Sequence, residues 1–342
     1  MGSFEELIAE KALACGYESC GIVGVDEMAG FADVLRMRME KAPGNDEMYS
    51  RFFHFADLRE TYPWAKSLVV CIASYIDYII PAHLDGVIGK HYLVDMRSCE
   101  SCAESRASAA FEKELLSLGL KVATNQRFGV TSMRWAASKA GLGIVRKNNF
   151  FYTDRSGSWI YIEAFLTDRE MELKRTPLGK PCADDCKRCM EACPTKSLSE
   201  PHTMSPATCV SPLTARAGDL IDNPISPLMG KWVYGCDACQ DACPYNADKW
   251  KQTKAFPGLA ELADAITLEN IVRMDEGRLI ELLASKFFYI DEGRIWQWKL
   301  NALNAMRNCF DESYADAIKA AMGDPDERVR RMANWVAGEV LK

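Results

Sequence analysis

Apolar residues recur at helical spacing from the start of the chain. Phe4, Leu7, Ile8 and Leu13 share one stripe that Gly16 closes, which predicts a first helix. Gly21-Ile22-Val23-Gly24 reads as a short strand, and a second helical stretch runs from Phe31 to Glu40. The run Ser67-Leu68-Val69-Val70-Cys71-Ile72-Ala73 is apolar on both faces, the pattern of a strand inside a sheet, with Cys71 as plain core. The period turns helical again from Ala103 to Leu118 and stops at Gly119. Leu120 to Ala123 predicts a strand, Met133 to Ala140 a short helix ended by Gly141, and Trp159 to Leu166 another strand. Helices and strands therefore interleave to about residue 170, which points to an α/β domain on one sheet.

The next stretch has little periodicity and many cysteines. It reads Cys182-x3-Cys186-x2-Cys189-x3-Cys193-Pro194, then Cys209, then Cys236-x2-Cys239-x3-Cys243-Pro244. A short loop of this kind wraps a cubane: closely spaced thiolates reach neighbouring irons, and proline ends the wrap. In two-cluster ferredoxins the cysteine before proline ligates the other cluster. The expected sets are Cys182, Cys186, Cys189 and Cys243 for one 4Fe-4S centre, and Cys193, Cys209, Cys236 and Cys239 for the second. A four-cysteine zinc site is the competing reading, and the near-repeat of Cys-x2-Cys-x3-Cys-Pro counts against it. The first interval is one residue longer than in bacterial ferredoxins, so Cys182 is the ligand that most needs a test.

Beyond about residue 257 the pattern is helical to the end. Ile295 to Cys309 reads as amphipathic. The last helix opens with Asp324-Pro325 and places Val329, Ala333, Val336 and Ala337 on one stripe. Two such helices packed antiparallel make a HEAT-type unit.

With 48% hydrophobic and 26% charged residues the chain has the balance of a folded, not a disordered, protein. The N-terminus carries Glu5, Glu6 and Glu10 where a signal peptide needs a basic then apolar run, and no apolar run reaches membrane-spanning length. A cytoplasmic location with reduced thiols and no membrane partner is expected. The net charge of -7 argues against broad nucleic-acid binding, though not against a local basic surface.

Gly141-Leu142-Gly143, Lys147-Asn148, Gly157-Ser158-Trp159 and Glu163, followed by the double-cluster segment with Tyr234-Gly235-Cys236 and Cys243-Pro244-Tyr245-Asn246, resemble epoxyqueuosine reductases. The resemblance covers nearly the whole chain. It implies a nitroreductase-like, corrinoid-binding α/β domain over 1–175, a bacterial ferredoxin-like double-cluster domain over 176–256, and an all-α HEAT-like segment over 257–342. It also implies a base-off cobalamin beside the nearer cluster, with Gly141, Gly143, Lys147, Asn148, Ser158 and Trp159 as its contacts. Electrons then pass from the far cluster to the near one and on to cobalt, from a donor such as flavodoxin or ferredoxin.

The sequence also departs from that family. The family's proton-donating Asp lies thirteen residues before its Ala-Gly-Leu-Gly stretch; here that count from Ala140 reaches Arg127, and Thr124 to Met133 holds no carboxylate. The family's Tyr-Ala-x-Gly-x-Asp-Tyr-His stretch becomes Tyr92-Leu93-Val94-Asp95-Met96-Arg97-Ser98-Cys99. Arginine stays charged and does not replace a general acid. Tyr92 is the candidate donor, ahead of Tyr152 and Tyr161, and Arg127 the candidate anchor for an anionic group. Cys99-x2-Cys102 is a candidate redox pair. Arg328, Arg330 and Arg331 are candidate phosphate contacts, offset by Asp324, Asp326 and Glu327. On these departures the expected function is cobalamin-dependent reduction of an unidentified small molecule, with tRNA not favoured. Epoxyqueuosine reduction on tRNA with a substituted donor, and a non-catalytic corrinoid or electron carrier, stand as alternatives.

Overall fold

The computed structural model describes residues 2–341 apart from 178, 217 and 219. Its centre is a four-stranded sheet in the order β1-β2-β6-β3, built from β1 (Ser19–Gly24), β2 (Ser67–Ser74), β3 (Val122–Ala123) and, after a small hairpin of β4 (Ile144–Val145) and β5 (Phe151–Tyr152), β6 (Ile160–Thr167). All of its pairings are antiparallel, unlike the parallel sheet that interleaved helices and strands favour. β2 lies between β1 and β6, with Val70 opposite Ala164 and Cys71 opposite Glu163. Its two apolar faces are thereby explained. Val69, Cys71 and Phe165 pack with Ile8 and Ala12 of α1 (Phe4–Cys15) and Phe111 and Leu115 of α2 (Ala103–Ser117). Val70, Ile72, Ala164 and Leu166 pack with Ala136 and Ala137 of α3 (Met133–Lys139) on the other side. Full burial of each large aliphatic or aromatic side chain contributes about 1.5–3 kcal/mol.

Two close approaches need glycine here. Gly141, at φ 72°, would place a Cβ 1.8 Å from the Arg175 carbonyl oxygen, and Gly143 would place one 2.2 Å from that of Tyr152. These contacts bring the chain after α3 flat against its neighbours and aim 144–152 toward the cysteine segment.

The helix expected to be amphipathic, now α4 (Gln297–Asn308), is buried throughout from Gln297 to Met306. The polar residues that look like a solvent face are instead ties to the cysteine segment. Asn301 donates to the carbonyls of Thr214 (2.7 Å) and Val233 (2.9 Å), and Asn304 and Asn308 both donate to Ser226 O. Tyr234 stacks on Trp298 at 5.1 Å, and Lys299 pairs with Asp324 at 2.6 Å with both side chains buried. After α4 come α5 (Ala315–Ala321) and α6 (Glu327–Val340), which packs on both. One apolar core runs from Ile8 through Tyr234 to Val336, so the three segments share an interior.

Candidate functional site

Two very short helices carry the cysteines. Arg188–Ala192 holds Cys189 and ends on Cys193, and Ala238–Asp241 holds Cys239 just after Cys236 and just before Cys243. They pack against each other, so the two Cys-Pro runs face across a common seam. Cys189 has the thiols of Cys243, Cys182 and Cys186 as neighbours, and these four flank a small cavity with Arg146, Lys147 and Tyr245. Cys239 instead faces Cys236, Cys209 and Cys193, with Cys189 next beyond. This second quartet forms part of the wall of the large cavity. The grouping is the crossed one, and the quartets adjoin.

The donor set suits a cluster. Burial, reinforced by neighbouring thiols, pushes Cys189, Cys209, Cys236 and Cys239 above the usual thiol range. Thiolates at this density need metal to share their charge, so a bound cluster would form with release of protons. Among the described residues no three His, Cys, Asp or Glu side chains converge as they would on a single ion. The first quartet surrounds a cavity instead.

The large cavity measures about 480 Å³ and lies between the sheet domain and the second quartet. Apolar walls come from Met133, Phe150, Ile160, Ile162 and Val210, and polar groups from Gln126, Asn148, Ser158 and Gln240. An apolar slot with amide and hydroxyl partners fits a corrin ring and its amide side chains. Asn148 donates to Cys239 O at 3.1 Å and to Tyr152 Oη at 2.8 Å, and Ser158 donates to Gln240 at 2.9 Å, which ties the slot to the quartet.

Of the residues singled out from sequence, Tyr92, Arg127, Asn148, Ser158, Tyr161 and Glu163 line this cavity; Gly141, Gly143, Lys147 and Trp159 do not. The glycines serve close packing. Lys147 clamps the first cysteine loop, donating to the carbonyls of Ala183 (2.7 Å), Asp184 (2.8 Å) and Cys186 (3.1 Å). Trp159 is buried against Trp250 at 5.2 Å. Tyr92 Oη lies 3.2 Å from Ser211 Oγ, and burial pushes its phenol up to about 12, so it is protonated at neutral pH. Tyr161 donates its hydroxyl to Val94 O, and the Tyr152 hydroxyl faces the Cys243 thiol. Arg127 stacks at 4.2 Å on Phe288, which Arg97 also covers at 5.0 Å. Cys102 caps α2 through Ser105 N at 3.4 Å and neither it nor Cys99 lines the cavity. Arg328 pairs with Asp326, and Arg330 donates to Asp324 O and Pro325 O, so both are engaged by the start of their own helix.

Sequence reasoning missed His91, Arg97 and Arg134, which also line the cavity. Arg97 is fixed by Asp95 at 2.6 Å, and burial with the adjacent guanidinium holds the His91 imidazole down to about 4, hence neutral. The Asp95-x-Arg97 spacing was the available signal.

Residues 182–246 match the family model of a 4Fe-4S double cluster binding domain. An epoxyqueuosine reductase from Staphylococcus aureus is 32% identical over 98% of this chain and 88% of its own length. The chain belongs to the epoxyqueuosine reductase family. Its members are oxidoreductases, and their cofactors, two 4Fe-4S clusters and cobalamin, come with membership. The match with the Prochlorococcus marinus enzyme, at 30% identity, spans 48% of this chain and about half, 52%, of that relative, and the match with the Yersinia pestis enzyme spans 44% of that relative. Two solved epoxyqueuosine reductases share the fold at 23% identity over 98% of this chain and 89% of theirs. One, in complex with an epoxyqueuosine-modified tRNA-Tyr stem loop, gives a TM-score of 0.78; the other, from Bacillus subtilis with its catalytic aspartate loop swung out of the active site, gives 0.79. These findings overturn the expectation of an unidentified small-molecule substrate with tRNA disfavoured. That expectation rested on the missing carboxylate, which bears on proton supply and not on what the cavity receives. Among the described residues no helix is long and apolar enough to cross a membrane.

Proposed function

We propose that this protein is a cytoplasmic epoxyqueuosine reductase acting on tRNA, with a proton donor other than the family's aspartate. The observation that carries the reading is the large cavity, which has one cysteine quartet in its wall and Tyr92 beside it. In this reading residues 1–175 form a nitroreductase-like cofactor domain, 176–256 the ferredoxin-like double-cluster domain, and 257–342 a HEAT-like segment that buttresses the clusters. Cys182, Cys186, Cys189 and Cys243 hold the outer cluster, and Cys193, Cys209, Cys236 and Cys239 the inner one. A flavodoxin or ferredoxin supplies electrons singly, and the adjoining quartets carry them inward.

Asn148 and Ser158, with Gln126 and Gln240, would hold a corrinoid's amide groups, and Met133, Phe150 and Ile160 would exclude water beside it. Cobalamin, when bound, supplies a strongly reducing, nucleophilic metal centre. Removing an epoxide oxygen as water consumes two electrons and two protons. Tyr92 supplies a proton from Oη, and Ser211, within hydrogen-bond distance of it, relays the replacement. Arg127 at the cavity wall anchors an anionic group, for which a tRNA phosphate is the natural partner.

The test is anaerobic reconstitution with iron, sulfide and hydroxocobalamin, followed by incubation with an epoxyqueuosine-modified stem loop and a low-potential reductant. Bound cobalt, about eight irons per chain and loss of the epoxide are expected. Stable corrinoid binding with no turnover of the stem loop overturns the enzymatic reading in favour of a carrier.

A further inference from the structure

Arg146 is the most isolated buried charge near the clusters. It is 4% exposed and, among the described residues, has no carboxylate partner. Its Nε has no hydrogen-bond partner. The guanidinium lies over two rings, 3.2 Å from the Tyr245 centroid and 5.2 Å from that of Tyr152, and its Nη1 lies 3.9 Å from Cys182 Sγ. Arginine does not shed its proton, and an unpaired buried charge is strongly unfavourable. Something anionic must face it. The four thiols of the outer quartet share their small cavity with this side chain.

We propose that Arg146 is the counter-ion of the outer 4Fe-4S cluster, and that its charge raises that cluster's reduction potential. The inference rests on the ligand set given above for Cys182, Cys186, Cys189 and Cys243. A cubane held by four thiolates is anionic in both states and gains one more negative charge on reduction. A fixed cation close by therefore stabilises the reduced form more than the oxidised one. Net charge and hydrogen bonds to the sulfurs are the protein's levers on such potentials. Lys147 and Arg188 also border the site, but Lys147 spends its ammonium on three carbonyls and Arg188 is exposed, where water screens it. Arg146 alone of the three is both shielded and aimed at a ligand sulfur. Its contact with Cys182 also gives that cysteine's thiolate a partner, which favours Cys182 as a ligand despite the longer first interval.

The experiment is an EPR-monitored redox titration of the full chain, anaerobically reconstituted, as wild type, Arg146→Gln and Arg146→Lys. In Arg146→Gln the ratio of reduced to oxidised outer cluster at a fixed potential should fall at least tenfold, a downward shift of about 59 mV for a one-electron couple. Arg146→Lys should recover most of it, and the inner cluster, farther from the lost charge, should move less. An unchanged ratio in Arg146→Gln overturns the proposal, as does an equal fall in both variants, which would mark a packing role. Should Arg146→Gln fail to hold the outer cluster, retention of about eight irons by Arg146→Lys supports the counter-ion and loss in both overturns it. Wild type holding only about four irons would instead sink the ligand set itself, and with it this inference.

Discussion

Replacing Tyr92 with phenylalanine separates proton supply from architecture. The ring is held by edge contacts with Tyr234 at 4.8 Å and Tyr289 at 6.1 Å, and it covers Gly235 so closely that a Cβ there would lie 2.4 Å from it. Phenylalanine keeps all of that packing. The hydroxyl has one hydrogen bond, to Ser211 at 3.2 Å, so its loss should cost the fold about 0.5–1.5 kcal/mol. Loss of a general acid costs about 10²–10⁴-fold in rate, or about 2.7–5.4 kcal/mol at 1.36 kcal/mol per tenfold. The two ranges do not overlap. Single-turnover reduction of an epoxyqueuosine-modified stem loop by pre-reduced, fully loaded protein should therefore slow by at least about a hundredfold, while iron and cobalt content stay at wild-type levels. A rate within about threefold of wild type, far short of a lost general acid, would refute Tyr92 as the donor.

Gly141→Ala should destabilise the fold by more than about 1–3 kcal/mol, because the residue sits at φ 72° with the Arg175 carbonyl 1.8 Å from the new Cβ; an unchanged melting temperature would contradict that geometry. Breaking the buried Lys299–Asp324 pair with Asp324→Asn should cost about 3–5 kcal/mol in urea unfolding, while the Lys299→Met, Asp324→Asn double variant should recover much of it. Equal losses in the single and double variants would argue against a buried ion pair. Burial lowers the Lys286 ammonium to about 8, against an ordinary 10.5. The unfolded chain then binds more protons between those values, so this group's contribution to stability rises with pH from about 8 to about 10.5. Lys286→Met should remove that rise, and identical pH profiles for the two proteins would contradict it.

What the sequence revealed follows from how local each signal is. The central position of β2 was readable because a strand covered on both sides must be apolar at every position from Leu68 to Ala73. The grouping of the eight thiols was readable because the two Cys-Pro runs are short and local in the sequence. α4 was misread because Asn301, Asn304 and Asn308 look like a wet face, and only the fold shows backbone carbonyls of 214–233 meeting them. The glycines and Lys147 share a motif with Asn148, yet the motif cannot say which residues turn to the cavity and which brace the chain behind it. Arg146, one position before Lys147, has no helical or strand periodicity to expose its burial.

The substitution at Arg127 shows why proton source and substrate class need separate evidence. Arg127 and Arg97 both lie over Phe288, and Arg127 also borders a shallow surface hollow with Ser285 and Glu292, so this part of the wall runs from the cavity to the outside. A carboxylate there repels phosphate while an arginine attracts it, and neither change alters the apolar slot or the cysteine quartet behind it. On the proposed reading, the slot, the quartet in its wall and the adjoining quartet are therefore independent of the residue at 127. In that same reading, a missing acid obliges the protein to draw its proton elsewhere in the same cavity. Tyr92 is there, neutral and partnered by a hydroxyl, and on the proposed reading Arg127 would attract a polyanionic substrate instead of excluding it.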